Sequence, residues 1–371
     1  MGKALPSALH GPAYAAVRAG LTIPLVVGPR TSLEVARAIA GLYARAPFNK
    51  RRLDRASEHL RFAFPGWDDR ARRDLAVRAY EHLAMLAVEV AFTPRLMSEE
   101  SWPRHVELDR VAGALSTLLA GRPTVLITGH CGNWELLGYV LALLGFPVHA
   151  LYRPLDMDPL DRWARRTRAR RGLVLLDKFG AMRSLPGLIS TGTPIAFVAD
   201  QNAGDRGLFV PFFGRLASTY KSIGILAIQH GCTVVVGQAR RLGWGGHDER
   251  PVEGGFAAPP ATSSIRYRIE IHDLIRPEEW NGRPDPLYYL TARYRRAIEA
   301  MIRAAPEQYL WMHRIWKSRP RHEREGRPFP ASLRRKLEEL PWMDDAGVES
   351  VVEQSRIDGE FLQRHGLTRL P

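Results

Sequence analysis

The stretch TVLITGHCGNWELLGYVLALL at residues 124–144 has the pattern of a buried strand that leads through a tight turn into a helix. Its first five residues are short, apolar and rich in β-branched side chains, which is typical of a buried strand in a parallel sheet. Gly129 ends that strand, and the long apolar run after Asn133 predicts a buried helix. Open α/β folds place their functional groups at the carboxyl ends of such strands. The stretch therefore predicts both a fold class and the position of a site.

The same alternation of strand and helix continues along the chain. Strand patterns occur at 148–152, 173–176, 194–199 and 233–237, with helical patterns at 133–144, 156–170, 180–191 and 218–230. Repeated strand-helix units predict an α/β fold with a mostly parallel central sheet and crossover helices. One more alternating strand is predicted at 264–272, after a Gly/Pro-rich loop insertion at 242–264.

The chain divides into three parts by composition. We predict a helical N-terminal layer at 1–104, the α/β core with its loop insertion at 105–320, and a charged helical C-terminal tail at 321–371. In the first part, Gly and Pro punctuate residues 1–30, which predicts a loose arm or a segment that lies on lipid. Amphipathic or apolar helices are predicted from Thr31, at 49–64 and at 68–92.

The charge balance is strongly basic, with 53 Lys and Arg against 39 Asp and Glu and a net charge of +14. Such an excess favours nucleic acid, an anionic membrane surface, or acidic lipids and carriers as partners. No recognised nucleic-acid-binding module occurs in the sequence, so we expect no nucleic-acid partner. Two cysteines are too few for a disulfide framework, which is consistent with a reducing compartment.

The sequence predicts membrane contact without a spanning helix. A spanning helix needs about 20 consecutive apolar residues, and the nearest candidate, residues 13–27, contains Arg18 and Pro24. The same region lacks the small-residue cleavage site of a signal peptide. The basic helix at 49–64 is either a solvated face or a surface that rests on anionic phospholipid.

His130 and Glu135 are the candidate acid–base pair. His130 lies in the predicted turn and Glu135 in the first turn of the helix that follows. A carboxylate at this spacing can hold one ring nitrogen while the other accepts a proton from a hydroxyl. Two alternatives stay open at this point: the pair only caps the helix, or the neighbouring Cys131 is a nucleophile. No cluster of His, Cys and Asp has the spacing of metal ligands.

Four motifs in order carry a resemblance to a known family. They are GHCGNWELLG (129–138), YRPLDMDPLDRWARRTRARRG (152–172), ADQNAGDRGLFVPFFGRLAST (199–219) and PEQYLWMHRIWKSRP (306–320). Together they resemble the lipid A biosynthesis (lauroyl/myristoyl) acyltransferases of Gram-negative bacteria, a branch of the lysophospholipid acyltransferase superfamily. A single histidine followed after four residues by an acid arises by chance, but four ordered motifs over about residues 120–320 are specific.

The resemblance implies transfer of a fatty acyl chain from an acyl-carrier-protein or coenzyme A thioester to a hydroxyl of a lipid A-type glycolipid. It implies His130 as the general base oriented by Glu135, and no cofactor besides the thioester co-substrate. The implied partners are acyl carrier protein, an anionic glycolipid and the membrane surface. The implied location is the cytoplasmic face of the bacterial inner membrane, although most family members begin with a spanning helix that this sequence lacks. Because the family transfers the acyl group directly, Cys131 is not needed as a thiolate.

The same motifs suggest further site residues. The expected catalytic set is completed by Arg171 and Asp200, the expected substrate-binding residues are Asn133, Arg153, Arg168 and Gln201, and the expected acyl pocket is formed by Trp134, Phe212 and Phe213. Asp200 can pair with an arginine, hold a sugar hydroxyl or form a turn, and the two phenylalanines can equally belong to the core. Several relatives carry a second acid where this chain has Asn202. The motif at 306–320 suggests contacts at the membrane interface and with headgroups, or a packing element.

Other functions remain open at the level of sequence. The acceptor can be a phospholipid or a mannosyl-inositol lipid, water can replace the acceptor in a thioesterase, or the protein can bind lipid without catalysis. The intact His130 and Glu135 argue against the last of these. Acyl length, the acceptor position and the choice of carrier do not follow from the sequence.

Overall fold

The computed structural model of the protein describes residues 10–152, 154, 157–169, 172–177, 180, 183–243, 253 and 265–370, except for the side chains of residues 16, 21 and 168. The strands are β1 Val106–Asp109, β2 Thr124–Thr128, β3 His149–Tyr152, β4 Val174–Asp177, β5 Ile195–Val198, β6 Leu208–Phe212, β7 Arg215–Thr219, β8 Thr233–Arg241 and β9 Tyr267–Ile275. The helices are α1 His10–Val27, α2 Pro29–Arg45, α3 Lys50–Ala63, α4 Asp69–Leu96, α5 Ala112–Leu119, α6 Trp134–Leu143, α7 Asp158–Ala169, α8 Leu185–Ser190, α9 Lys221–Gln229, α10 Pro277–Trp280, α11 Pro286–Ala304, α12 Arg321–Arg324, α13 Ala331–Glu338 and α14 Asp345–His365.

Seven of these strands form one sheet in the order β1-β9-β8-β2-β5-β3-β4. Within this described sheet all neighbours pair in parallel except β8 and β9, which pair antiparallel. The central strand β2 is buried along its whole length, because it has neighbours on both sides and helices over the sheet. The predicted α/β fold with a mostly parallel sheet is confirmed.

The elements predicted from sequence are largely present. Strands β2 to β5 agree with the prediction within one residue at each end, and β8 extends to Arg241, where it still pairs with β9. Helices α6, α7, α8 and α9 lie inside the predicted ranges, and α8 begins five residues later than predicted. Most of the loop insertion predicted at 242–264 lies outside the described residues.

Three features differ from the prediction. Residues 10–27 form helix α1 instead of a loose arm, although Pro24 interrupts its hydrogen bonding. The short β1 was not predicted, although VELD alternates apolar and polar residues, because its four residues are at the lower limit of length for that signal. A β6–β7 hairpin also occurs where the sequence shows Gly and Pro. Its two-residue turn, Phe213 and Gly214, has positive φ at both positions (52° and 69°), which is the pattern of a type I′ turn.

The N-terminal helices share a hydrophobic core with the sheet. Asp68 begins α4 by accepting a hydrogen bond from the backbone N–H of Ala71 at 2.7 Å, as helix-capping residues do. The buried faces of α2, α3 and α4 use small and branched residues at helical spacing: Ala40, Ala44, Leu53, Ala56, Leu60, Leu75 and Ala79. The cluster that contains most of them also contains Val125 and Ile127 of β2. The layer is therefore part of the structure that positions the central strand.

The C-terminal part is docked on the core by buried ion pairs. Arg215 of β7 donates two hydrogen bonds to Asp358 of α14, at 2.7 and 2.5 Å. Arg319 pairs with the same carboxylate at 2.8 Å and with Glu323 at 2.6 Å, and its side chain is fully buried. The predicted tail is thus anchored to the α/β core through two arginines that share one aspartate.

Replacement of Asp358 by alanine should strongly destabilise the protein. It leaves Arg215 and Arg319 with less compensation for their buried charge, and breaking a buried pair by removing one partner costs about 3–5 kcal/mol. Urea-induced unfolding, followed by circular dichroism, measures the change. Glu360→Ala, in an exposed pair with Arg356 on the same helix, is the control and should change the free energy of unfolding by about 0–1 kcal/mol. Equal unfolding midpoints for the two variants would contradict the assignment of this anchor.

Candidate active site

The pairing of β2 with β5 brings His130 and Asp200 together. The two strands are parallel, with Thr128 opposite Val198, and each functional residue lies two positions beyond the end of its strand. Parallel strands end at the same edge of a sheet, so the two side chains meet there. Nδ1 of His130 lies 2.7 Å from Oδ1 of Asp200. This contact fixes the ring and leaves Nε2 as the nitrogen that can exchange a proton with a substrate.

The electrostatics of the pair make His130 a stronger base and keep Asp200 ionised. Burial lowers the pKa of His130, but the charge and the hydrogen bond of Asp200 raise it by more, so the pKa lies above the ordinary histidine value. For Asp200, burial raises the pKa, but His130 and the charge of Arg295 lower it well below the usual range. Arg295 is fully buried on α11 and donates to the carbonyl of Ala199 at 3.1 Å. Asp200 therefore stays ionised beside the histidine.

The expected orienting role of Glu135 needs correction, because Asp200 holds Nδ1 of His130. Glu135 lies in the first turn of α6 and acts on His130 through its charge, the last of the causes that raise the pKa of the histidine. The reason is topological, because strand pairing places Asp200 next to the ring although it lies 70 positions further along the chain. Spacing along the sequence does not predict this contact.

The turn after His130 requires a glycine and is held in place by backbone hydrogen bonds. Gly132 has φ of +57°, and a Cβ at this position would lie 2.2 Å from the carbonyl oxygen of Ala239. Its N–H donates to the carbonyl of Gln308 at 3.0 Å, and the N–H of Asn133 donates to the carbonyl of Ala239 at 2.7 Å. The turn is therefore tied to both β8 and the segment at 306–308.

Asn133 caps α6 and is not placed as a substrate-binding residue. Its side chain is fully buried and accepts a hydrogen bond from the N–H of Leu136 at 2.9 Å. Its amide nitrogen donates to the hydroxyl of Tyr267 at 3.0 Å. The expectation from the motif is thus corrected, because the amide is satisfied inside the protein.

A buried polar network that includes two residues of α4 holds this turn in place. Glu89 accepts two hydrogen bonds from Arg241, both at 2.6 Å, and a further one from Tyr267. Arg241 also donates to Nδ1 of His82 at 2.7 Å, which leaves Nε2–H of His82 to donate to the carbonyl of Gly132 at 3.0 Å. Burial and the charge of Arg241 lower the pKa of His82 well below its ordinary value, so the ring is neutral. Sequence analysis missed this network because each of its contacts joins residues about 50–180 positions apart.

A second histidine lies beside the first. The ring of His313 is 5.1 Å from the ring of His130, centre to centre, and the ring of Trp134 is 5.0 Å from it. Nε2 of Gln201 lies 3.2 Å from Nδ1 of His313. Burial and the charge of His130 lower the pKa of His313. The 306–320 motif was expected to make interface or packing contacts, and the structure shows that it also contributes a ring to the site.

Asn202 is hydrogen-bonded to Ser318 of the C-terminal motif. Nδ2 of Asn202 donates to Oγ of Ser318 at 3.2 Å, and its Oδ1 accepts from the N–H of the same residue at 3.3 Å. A carboxylate could accept from the same N–H and from the hydroxyl of Ser318, so these contacts do not require an amide. They join the loop after β5 to the motif that carries His313.

The predicted acyl-pocket residues separate in the structure. Phe212 and Phe213 are buried in the core, where Phe212 packs on the guanidinium of Arg295 at 3.9 Å and Phe213 packs near Trp311. The hairpin turn directs them into the core, so they do not line an open surface. Only Trp134 of the three lies beside His130.

Three predicted arginines cannot be placed. Arg153 and Arg171 lie outside the described residues, and of Arg168 only the backbone in α7 is described. Cys131 is fully buried beside the site, and burial raises the pKa of its thiol well above the usual value, which does not favour a thiolate nucleophile. Among the described residues, no group of three or more His, Cys, Asp or Glu is arranged to bind a metal ion.

Comparisons with known proteins identify the family of the chain. The family described as bacterial lipid A biosynthesis acyltransferase matches residues 5–318. The chain is 26% identical to a lipid A biosynthesis palmitoleoyltransferase of Escherichia coli K12 over 288 residues, which cover 76% of this chain and 83% of the relative. It is 26% identical to the lipid A biosynthesis lauroyltransferase of the same organism over 286 residues, 74% of this chain and 81% of the relative.

A relative from Haemophilus influenzae, a lipid A biosynthesis acyltransferase, is 21% identical over 272 residues, 73% of this chain and 77% of the relative. The family match extends from the N-terminal layer through the motif with His313 and so includes each element that builds the site. The chain belongs to the bacterial lipid A biosynthesis acyltransferase family and is an acyltransferase.

Proposed function

We propose that the protein transfers a fatty acyl chain from an acyl-carrier-protein or coenzyme A thioester to a hydroxyl of a lipid A-type glycolipid. The observation that carries the proposal is the 2.7 Å contact between His130 and Asp200 at the carboxyl edge of the sheet. The relatives' names supply the acceptor class, since they are palmitoleoyl- and lauroyltransferases of lipid A biosynthesis. The net charge of +14 is consistent with a phosphorylated acceptor and an acidic carrier.

The proposed reaction uses His130 as general base. Nε2 takes the proton of the acceptor hydroxyl as the oxygen attacks the thioester carbonyl carbon. Asp200 stabilises the imidazolium that forms, in the manner of the aspartate of a hydrolase triad. Collapse of the tetrahedral intermediate breaks the carbon–sulfur bond, and the thiolate takes the proton from His130. An ester and a free thiol leave, and both protein groups return to their starting charge.

The remaining predicted residues have supporting roles in this proposal. Glu135 adds negative charge near the imidazolium. Arg153, Arg168 and Arg171 are proposed to hold phosphate groups or the thioester oxygen, because a guanidinium binds such oxygens with paired hydrogen bonds.

His130→Gln should lose transfer by about 10²–10⁴-fold, the usual contribution of a general base. The assay uses a labelled acyl-carrier thioester and a 3-deoxy-octulosonate-containing lipid A precursor in detergent. His230→Gln, outside the site at the end of α9, is the matched control and should retain activity. Free fatty acid without labelled acceptor would replace transfer with hydrolysis, and labelling of phospholipid or mannosyl-inositol lipid alone would change the acceptor. Equal activities for wild type and His130→Gln would reject the proposed base.

Asp200→Asn should move the acid limb of the pH profile to lower pH. The base must be neutral to accept a proton, so kcat/KM falls as the pH drops through the pKa of His130. Asp200 raises that pKa. Without the charge of Asp200, the effect of burial is larger, and the pKa of His130 falls. We also expect a lower plateau, because the imidazolium loses its counter-charge. Asp205→Asn, in the same loop but paired with Arg369 at the surface, is the control. An acid limb that does not move in Asp200→Asn would contradict the pairing.

We further propose that the N-terminal helices rest on the cytoplasmic surface of the inner membrane. None of the helices in the described part of the chain is long and apolar enough to cross a bilayer. However, α2 exposes a second apolar stripe opposite its buried face: Val35, Ile39 and Leu42 lie at helical spacing, and the last two are 61% and 75% exposed. Val26 and Phe48 nearby are 87% and 77% exposed. Two basic residues lie close to this apolar surface: Arg45 in the last turn of α2, and Arg52 of α3, whose guanidinium lies 3.4 Å from the hydroxyl of Tyr43. Such charges suit an anionic lipid surface.

The double change Ile39→Asp and Leu42→Asp should weaken binding to vesicles that contain phosphatidylglycerol. Each leucine-sized side chain contributes about 1.5–3 kcal/mol when buried, so loss of two weakens partitioning by at least about tenfold. Co-sedimentation with the vesicles measures it, and transfer to a detergent-dispersed acceptor should persist. Ile357→Asp, on the exposed face of α14, is the matched control. Unchanged co-sedimentation of the double variant, or a dimer in solution that dissociates in it, would reject the lipid surface as occupant.

A further inference from the structure

The reaction needs hydrogen-bond donors for the thioester oxygen, and the turn that carries His130 has already used several of its own. The tetrahedral intermediate places negative charge on that oxygen, and fixed donors aimed at it stabilise it. The start of a helix is the usual source of such donors. Here the N–H groups of Gly132 and Asn133 donate to backbone carbonyls, and the N–H of Leu136 donates to the side chain of Asn133. These groups hold the turn and are not available to a substrate.

His313 occupies a fixed position next to the general base. The segment that carries it is hydrogen-bonded to His130 itself, since the N–H of Leu310 donates to the carbonyl of His130 at 3.1 Å. A tight turn follows, in which the N–H of His313 donates to the carbonyl of Leu310 at 3.1 Å. The two imidazole rings are 5.1 Å apart and inclined by 54°. A reacting group within reach of Nε2 of His130 is therefore close to the second ring as well.

Gln201 sets the tautomer of this ring. Its amide nitrogen lies 3.2 Å from Nδ1 of His313, and an amide nitrogen can only donate. Nδ1 of His313 is therefore the acceptor, and the ring proton lies on Nε2. Burial lowers the pKa of His313 most. Two charged groups face the ring: His130 lowers this pKa further, and Asp200 raises it by a smaller amount. The ring is thus neutral at neutral pH and presents one N–H donor beside the base.

We propose that His313 donates its Nε2–H to the thioester oxygen as negative charge develops there, and that Gln201 is the residue that positions this donor. This inference rests on the proposed function, because it supplies the oxyanion donor of that reaction. His313 keeps its proton throughout: the hydroxyl proton passes to His130 and then to the leaving thiolate. A neutral donor also avoids placing a second positive ring beside the imidazolium that His130 becomes.

His313→Ala should reduce kcat by about 10²–10³-fold, the usual loss when one oxyanion donor is removed. KM for the acceptor and the thioester should change little, because the bond strengthens only as charge develops. Thermal unfolding of the variant tests whether the fold is retained. A raised KM with unchanged kcat would mean that His313 binds the ground state of a substrate, and would overturn the proposal. Unchanged kinetics would overturn it as well.

Gln201→Glu tests the tautomer without removing the ring. The carboxylate accepts a hydrogen bond from Nδ1–H, so the neutral ring loses its proton at Nε2 and only the imidazolium can donate there. Activity of this variant should therefore fall as the pH rises through the pKa of His313, a descending limb that the wild type lacks. Gln229→Glu, exposed on α9, adds the same charge elsewhere and should keep the wild-type profile. A Gln201→Glu profile that matches the wild type in shape would overturn the role of Gln201 and the donor assignment with it.

The outcomes separate this inference from the proposed function. If wild type transfers no acyl group to any acceptor, the proposed function fails. If wild type is active and His130→Gln is not, while His313→Ala keeps its kcat, only the donor assignment fails. Where His313→Ala does not fold, the pH profile of Gln201→Glu decides.

Discussion

The parallel pairing of β2 with β5 is the constraint on which the site depends. Both strands run in the same direction in register from Val125 opposite Ile195 to Thr128 opposite Val198. A residue two positions past either end therefore reaches the same point of the sheet edge. His130 and Asp200 occupy those two positions, and no loop rearrangement is needed to bring them into contact. A shift of the register by one residue would turn alternate side chains to the other face and separate the pair.

The position of His130 also requires a rigid turn after β2. A buried ion pair and its hydrogen bonds, as well as packing, hold that turn in place. Glu89 and Arg241 are both almost fully buried, and an ion pair in such a position is stable only when its remaining donors and acceptors are satisfied. His82 and Tyr267 supply these hydrogen bonds, and His82 in turn donates to the carbonyl of Gly132. The N-terminal layer therefore contributes rigidity directly below the general base. Rigid support of this kind is what holds a reactive ring within the small tolerance that proton transfer allows.

Sequence patterns predicted the sheet and the edge at which the site lies, because both follow from short-range periodicity. They also identified His130, Asp200 and Gln201, each of which follows an apolar strand. What they did not predict is which groups touch. Spacing arguments favour a partner nearby in the chain, and so assigned Glu135 to a ring nitrogen that Asp200 holds. Gln201 and His313 are 112 positions apart, so only the fold pairs them. The same limit applies to Asn133 and Phe212, whose motif positions suggested substrate contacts and whose burial gives them a helix cap and a core position.

The charges around the two histidines explain why one ring and not both is suited to accept a proton. Before reaction, Asp200 is an anion countered by the buried Arg295, and both rings are neutral in the proposed scheme. Proton transfer to His130 creates a cation at the same moment as the attacked carbonyl oxygen becomes an anion, so the net charge of the site does not change. Two charges created in a poorly solvated place are tolerated when fixed dipoles already face them. Asp200 faces the cation. The opposite partner must be a donor that carries no charge of its own, because a second imidazolium 5.1 Å from the first would oppose the proton transfer. Burial lowers the pKa of His313 and so keeps its ring neutral. The hydrogen bond from Gln201 to Nδ1 leaves the ring proton on Nε2.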